Sequence, residues 1–184
     1  ALADNVGQGT VPFQRHASVA MDDDGDWVVT WTQYRPLLDE AGNFVIDPAT
    51  GGPVFETDVF ARRFTAAGEP QTDGPLGIEP FLVNTYLPDD QKWSNVGMDA
   101  DGDFVVTWSS YSQVDNGQGG TGWEVYARQF DSFGYPLAPE FLVDVNTEGD
   151  QQFSNVAVES ISLGSRASKK LPSMKSPSAR ATSI

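Results

Sequence analysis

The chain has 184 residues, 26 acidic against 11 basic side chains, a net charge of −15 and no cysteine. Disulfides and thiolate metal sites are thereby excluded, and so acidic a surface repels nucleic acid and anionic membrane while attracting cations. No run of about 18 apolar residues occurs, so no segment reads as a membrane span.

Eighteen glycines and twelve prolines punctuate short segments rich in Val, Thr, Phe, Trp and Tyr, a pattern of strands joined by turns. In chain order, a first strand at 17–21 recurs at 95–98 and again at 155–158. A second at 27–32 recurs at 104–109, a third at 59–64 recurs at 125–130, and a fourth at 81–84 recurs at 141–144. Gln14, Gln91 and Gln151 each stand just ahead of a first strand. Met21 and Met98 are 77 residues apart, Gln91 and Gln151 only 60. The 17 extra residues of the first copy fall between strands, 11 between the second and third and 6 between the third and fourth. Loops absorb insertions at small entropic cost, whereas paired strands keep their length.

This repetition predicts an all-β fold, a propeller-like array of four-stranded antiparallel units, with serial β-sandwich modules as the alternative. Repeat one covers about 14–90, repeat two about 91–150 and a partial repeat 151–160, together a β-repeat region over 1–160. Residues 2–4 resemble the end of a fourth strand, so the chain reads as a window cut from a longer array. Its open sheet edges predict self-association. Residues 161–184 carry five basic and no acidic side chains and are expected to form a disordered basic tail.

Alternation along the second strand of repeat two puts Phe104, Val106 and Trp108 on one face and Val105, Thr107 and Ser109 on the other. The first face is wholly apolar and the second carries Val105, which predicts cover on both sides. On the third strands, Phe60, Arg62 and Phe64 match Tyr126, Arg128 and Phe130. An arginine between two rings is expected to stack on them and to pair with a nearby carboxylate.

Each repeat carries an Asp-x-Asp-Gly-Asp turn between its first two strands, with Asp22, Asp24 and Asp26 in one and Asp99, Asp101 and Asp103 in the other. Calcium takes six to eight oxygen ligands, and three closely spaced carboxylates can contribute to such a set. These six residues are the candidate metal ligands and calcium the candidate cofactor. The competing reading is a plain hairpin turn, in which Gly supplies a positive φ and Asp bonds nearby amides. Glycine at the fourth position, and Gln33 or Ser110 at the twelfth, depart from the EF-hand pattern.

The phrases Val-Ala-Met-Asp-x-Asp-Gly-Asp-Trp-Val-Val-Thr-Trp, Val-Tyr-Ala-Arg-Gln-Phe-Asp and Glu-Phe-Leu-Val-Asp-Val-Asn-Thr resemble the repeats of long, acidic, secreted bacterial proteins described as hemolysin-type calcium-binding or adhesin-like. The resemblance covers about residues 14–159. It implies an extracellular or cell-surface location, calcium association, an adhesion or matrix-scaffold role, and a cell-surface glycan or protein as partner. The Gly-Gly-x-Gly-x-Asp nonapeptides of such proteins are absent. FG-GAP propeller blades are less similar, and the sialidase Asp-box lacks its tryptophan, Val28 and Val105 standing in its place.

Catalytic motifs are scarce. The only histidine, His16, is equivalent to Trp93 and Phe153, so its slot is expected to want a planar ring rather than a base. Neither a Gly-rich phosphate loop nor a zinc pattern is present. The competing class is a carbohydrate-active enzyme or glycan-binding domain. An enzyme is expected to gather carboxylates into one cleft, and a scaffold to leave its Asp turns on matching hairpin tips.

Overall fold

Alternating apolar and polar residues between turn signals resolve into eight strands in the computed structural model, which describes residues 13–74, 77–113, 122–143 and 149–159. The strands are β1 (Gln14–Met21), β2 (Trp27–Pro36), β3 (Phe55–Phe64), β4 (Phe81–Leu82), β5 (Gln91–Met98), β6 (Phe104–Tyr111), β7 (Trp123–Phe130) and β8 (Phe141–Leu142). The tail expected at 161–184 and the strand end expected at 2–4 lie outside the described residues. So does residue 144 of the expected fourth strand.

The strands form two four-stranded antiparallel sheets, β1-β2-β3-β4 and β5-β6-β7-β8, each joined in sequence order. Register is repeated as well as order. Trp27 lies opposite Phe64 and stacks on it at 4.1 Å, and Phe104 lies opposite Phe130 and stacks at 5.0 Å. Such cross-strand pairs are the unit that fixes register in a sheet. The 11-residue insertion of the first copy prolongs the β2–β3 hairpin, with outlying bridges between Leu38 and Phe44 and between Ile46 and Pro53.

Five hairpin turns share one geometry. In the turns starting at Asp22, Asp39, Thr65, Asp99 and Asp131, the first residue's amide donates to the fifth residue's carbonyl, and the fourth residue's amide donates back to the first residue's carbonyl. The fourth residue is always glycine, with φ between 80° and 89°. A side chain in that left-handed region is strained, which explains the glycine at each turn.

The two sheets share one core. Val28, Val59, Ala61, Phe81 and Val83 of the first sheet meet Val96, Phe104, Val106, Trp108, Tyr126 and Phe130 of the second. As the alternation predicts, Phe104, Val106, Trp108, Thr107 and Ser109 of β6 are all buried, so the strand is covered on both sides. Polar bonds fasten the sheets together. Arg128 donates to the Val83 carbonyl at 2.8 Å, Arg63 to the Phe133 carbonyl at 2.6 Å, and Glu140 accepts from the amides of Thr85 and Tyr86.

The expected third copy of the first strand differs. Residues 149–159 form no ladder, yet they lie on the second sheet as β5 lies on the first. The Phe153 amide donates to Ser109 Oγ at 3.3 Å, as the Trp93 amide donates to Thr32 Oγ1 at 3.2 Å. Gly97 admits the segment closely, since a Cβ there would stand 3.2 Å from the Val156 carbonyl oxygen. A strand needs a hydrogen-bonding neighbour, and among the described residues no second strand follows to pair with this one.

Candidate functional site

The Asp turns are built mainly by their own backbone. Asp22 Oδ1 accepts from the Asp26 amide at 2.9 Å, and Asp99 Oδ1 accepts from the amides of Asp101 and Asp103 at 3.0 Å each. Asp39 and Asp131 do the same at their own turns, and the Thr65 hydroxyl accepts from the Glu69 amide. The fifth residue ties two turns together. Asp26 accepts from the Ala66 amide at 2.8 Å, and Asp103 from the Ser132 amide at 2.9 Å.

Turn chemistry therefore accounts for Asp22, Asp26, Asp99 and Asp103. It does not account for the exposed Asp24 and Asp101, whose third position is held by Ala41, Ala67 and Phe133 in the other three turns. The two acidic tips are neighbours, because a Cβ on Gly102 would stand 3.2 Å from Asp22 Oδ2. Among the described residues no group of three or more His, Asp or Glu side chains is gathered to hold a metal ion. With Asp22 and Asp99 turned onto amides, each tip in this geometry lacks the six to eight oxygens of a closed calcium cage.

The second tip is nevertheless electrically strained. Burial pushes the Asp103 carboxyl above its ordinary range, and the charges of Asp99, Asp131 and Asp101 push the same way, against the Ser132 amide. A carboxyl raised in the folded state costs stability at a pH above its folded pKa, and that cost shrinks as the pH falls through the folded pKa and vanishes well below the unfolded value of 3.8, where both states are protonated. Asp103→Asn keeps an oxygen for the Ser132 amide and is expected to raise the melting temperature at pH 7, the gain fading as the pH falls through the raised pKa of Asp103. In the same thermal series Asp99→Ala is expected to cost about 1.5–3 kcal/mol, the range for bonds to a charged group, because it strips two amides of their acceptor. Asp101→Ala is expected to stay within about 0.5 kcal/mol, as an exposed change does. Equal losses at Asp99 and Asp101 would show that the turn does not depend on its first residue.

A second site was hidden in the sequence. β1 and β5 each carry a bulge, between Arg15 and Ser18 and between Lys92 and Asn95. At those bulges His16 and Trp93 take φ of 55° and 56°, and Phe153 takes 60° at the matching point of residues 149–159. Non-glycine residues held there cost about 1–3 kcal/mol each, so their surroundings must over-determine them. They do so by packing rings against one another at edge-on and tilted angles. His16 stands 6.3 Å from Trp93, and Trp93 lies 4.6 Å from Phe153 and 4.8 Å from Trp123. The ring row lines a pocket of about 250 Å³ with Ala17, Ser18, Ser94, Asn95 and Ser154. Among the described residues its lining is aromatic, hydroxyl and amide, with His16 the one titratable side chain. The equivalence of His16, Trp93 and Phe153 was legible in the sequence, but their left-handed backbone was not.

The paired arginines meet the expectation in part, each lying over one ring of its strand. Arg62 lies 5.3 Å above the Phe64 ring and Arg128 5.5 Å above the Phe130 ring. Arg128 bonds a carbonyl, where a carboxylate was expected. An ion pair that sequence reading missed sits at the outer end of β2 and β3. Buried Asp58 receives Arg35 Nε at 2.5 Å and Asn84 Nδ2 at 2.9 Å, and Arg35 also pairs with Glu56 at 2.8 Å.

No protein-family model matches this sequence, and no curated protein matches it.

Proposed function

We propose that the chain is a non-catalytic repeat module of a secreted or cell-surface bacterial protein, an adhesion or matrix scaffold built from propeller-like sheets and stabilised by calcium. The observation that carries this reading is the ring row. Its pocket arises where β1, β5 and residues 149–159, three copies of one sequence pattern, lie side by side, and among the described residues no carboxylate lines it. Acid–base chemistry needs a positioned pair of titratable groups, whereas repetition of a strand builds a surface.

Calcium enters this reading at the adjacent acidic tips, as weak charge neutralisation. Burial raises the Asp103 carboxyl and the neighbouring charges of Asp99, Asp131 and Asp101 add to it; those charges, and the exposed Asp24 and Asp101 that no turn requires, support it. At ten times a dissociation constant of about 10⁻⁴–10⁻³ M, typical of extracellular calcium modules, the stabilisation is about 1.4 kcal/mol. That corresponds to a rise in melting temperature of roughly 3–6 °C. The test is a thermal melt with calcium, controlled by sodium chloride of equal ionic strength. The expected rise disappears in the Asp24→Ala, Asp101→Ala double variant. A melt that calcium leaves unmoved rejects calcium stabilisation.

The rings favour one second reading, glycan binding. Adjacent aromatics beside Ser18, Ser94 and Asn95 suit the apolar face and hydroxyls of a sugar. Quenching of tryptophan fluorescence by an oligosaccharide, in a molecule indifferent to calcium, supports that reading over the first.

A further inference from the structure

Matching residues of the two sheets differ in burial, and the differences fall into two groups. Val96, Phe104, Val106, Trp108, Tyr126 and Phe130 form the face by which the second sheet covers the first. Their counterparts Val19, Trp27, Val29, Trp31, Phe60 and Phe64 form the same face of the first sheet, and none of them is buried. Val19 is 61% exposed where Val96 is 4%. Met21, beside it, is 62% exposed. A contiguous apolar face of this kind marks an interaction surface.

We propose that this face docks a second copy of the chain, head to tail, in the way the second sheet docks on the first. The internal interface supplies the template. Within the molecule Phe130 meets Phe81 at 5.6 Å and Arg128 bonds the Val83 carbonyl, leaving Val83 fully buried. On the outer side of the second sheet the counterparts Phe141 and Val143 are uncovered, Val143 at 48%. Arg62 and Phe64 of one copy thus fall on the Val143 carbonyl and Phe141 of the next. Arg62 is already set over its ring as Arg128 is.

The place that an incoming β1 needs is held by residues 151–159, which β1 replaces like for like. Gln14, Val19 and Ala20 stand where Gln151, Val156 and Ala157 stood. Among the described residues the displaced segment forms no ladder; it gives up the bonds from Gln151 to the Trp123 carbonyl, from Phe153 to Ser109 and from Ser154 to Thr107, and the packing of Val156 and Val158 on Gly97, which Val19 and Met21 of the incoming β1 replace. The contact joins two different faces, so it is heterologous and propagates into a filament or closes into a ring. A net charge of −15 on each copy opposes the contact, and salt screens that repulsion.

This inference goes beyond the function proposed above and does not depend on calcium, so its test is run in a chelator. The measurement is sedimentation of the full chain over a range of concentrations, at about 0.15 M and 1 M salt. The expected result is growth past the dimer, stronger at high salt. Val19→Asp and Val143→Asp change exposed residues on the two opposite faces, and circular dichroism checks that each variant folds. Each alone is expected to be monomeric, and the two mixed are expected to form a 1:1 dimer that grows no further. Val158→Asp loosens the segment that holds the β1 place and is expected to strengthen assembly of the otherwise unaltered chain. Self-association of Val143→Asp alone would mean that the face of the first sheet meets itself, which overturns the head-to-tail contact. A wild-type chain that stays monomeric throughout also overturns it, as does a Val158→Asp variant that assembles no better.

Discussion

Replacing Trp108 by alanine is expected to lower the unfolding free energy by about 3–5 kcal/mol, the usual loss when a large buried aromatic leaves a cavity. Its side chain is fully buried between the sheets, stacked on Tyr126 at 6.3 Å. Trp31 has the same place in the first sheet and the same stacking partner, Phe60 at 6.2 Å, but solvent reaches it. Trp31→Ala is therefore expected to cost less than half as much, because the surface it gives up is already partly hydrated. Urea unfolding in dilute solution, where any assembly is dissociated, compares the two directly. Equal losses would mean that the outer face of the first sheet is covered within a single chain.

Arg35→Met is the second large expectation. Asp58 is 3% exposed at its side chain and accepts from Arg35 and Asn84. Removing one partner of a buried pair costs about 3–5 kcal/mol, and the partial exposure of Arg35 screens some of that, leaving about 2–3 kcal/mol. The double variant with Asp58→Asn is expected to recover most of the loss, since the introduced amide carries no charge and still offers an oxygen to Asn84. Denaturant unfolding of the single and double variants decides the point. If the double variant is no more stable than Arg35→Met, the buried charge is not what Arg35 serves.

Local features of the sequence were read well where the physics is local. Composition, turn signals and repetition located all eight strands, and also a ninth at 155–158 that forms no ladder. Asp-Gly signals located the β1–β2 and β5–β6 turns, because only glycine enters the left-handed region freely. The insertion of the first copy was placed between strands two and three, where the extended hairpin stands. The Asp turns were legible as turns. The separate jobs of their carboxylates were not, since the partners of Asp26 and Asp103 lie 40 and 29 residues away.

What depends on neighbours distant in sequence had to come from the structure. Arg35 and Asp58 are 23 residues apart, across an insertion that only the first copy has, so repetition offered no hint of their pairing. The ring row needed β1, β5 and residues 149–159 to lie together before His16, Trp93 and Phe153 could line one pocket.

The sequence by itself determined the strands, their order and their turns, because those follow from side-chain alternation and from backbone torsions within a few residues. Only the tertiary structure decided which of two nearly identical copies is buried. Val19 and Val96 sit in matching strands at matching bulges, yet one is exposed and the other is core. The physical reason is that burial belongs to the contact between sheets, and on that face the second sheet is covered by the first.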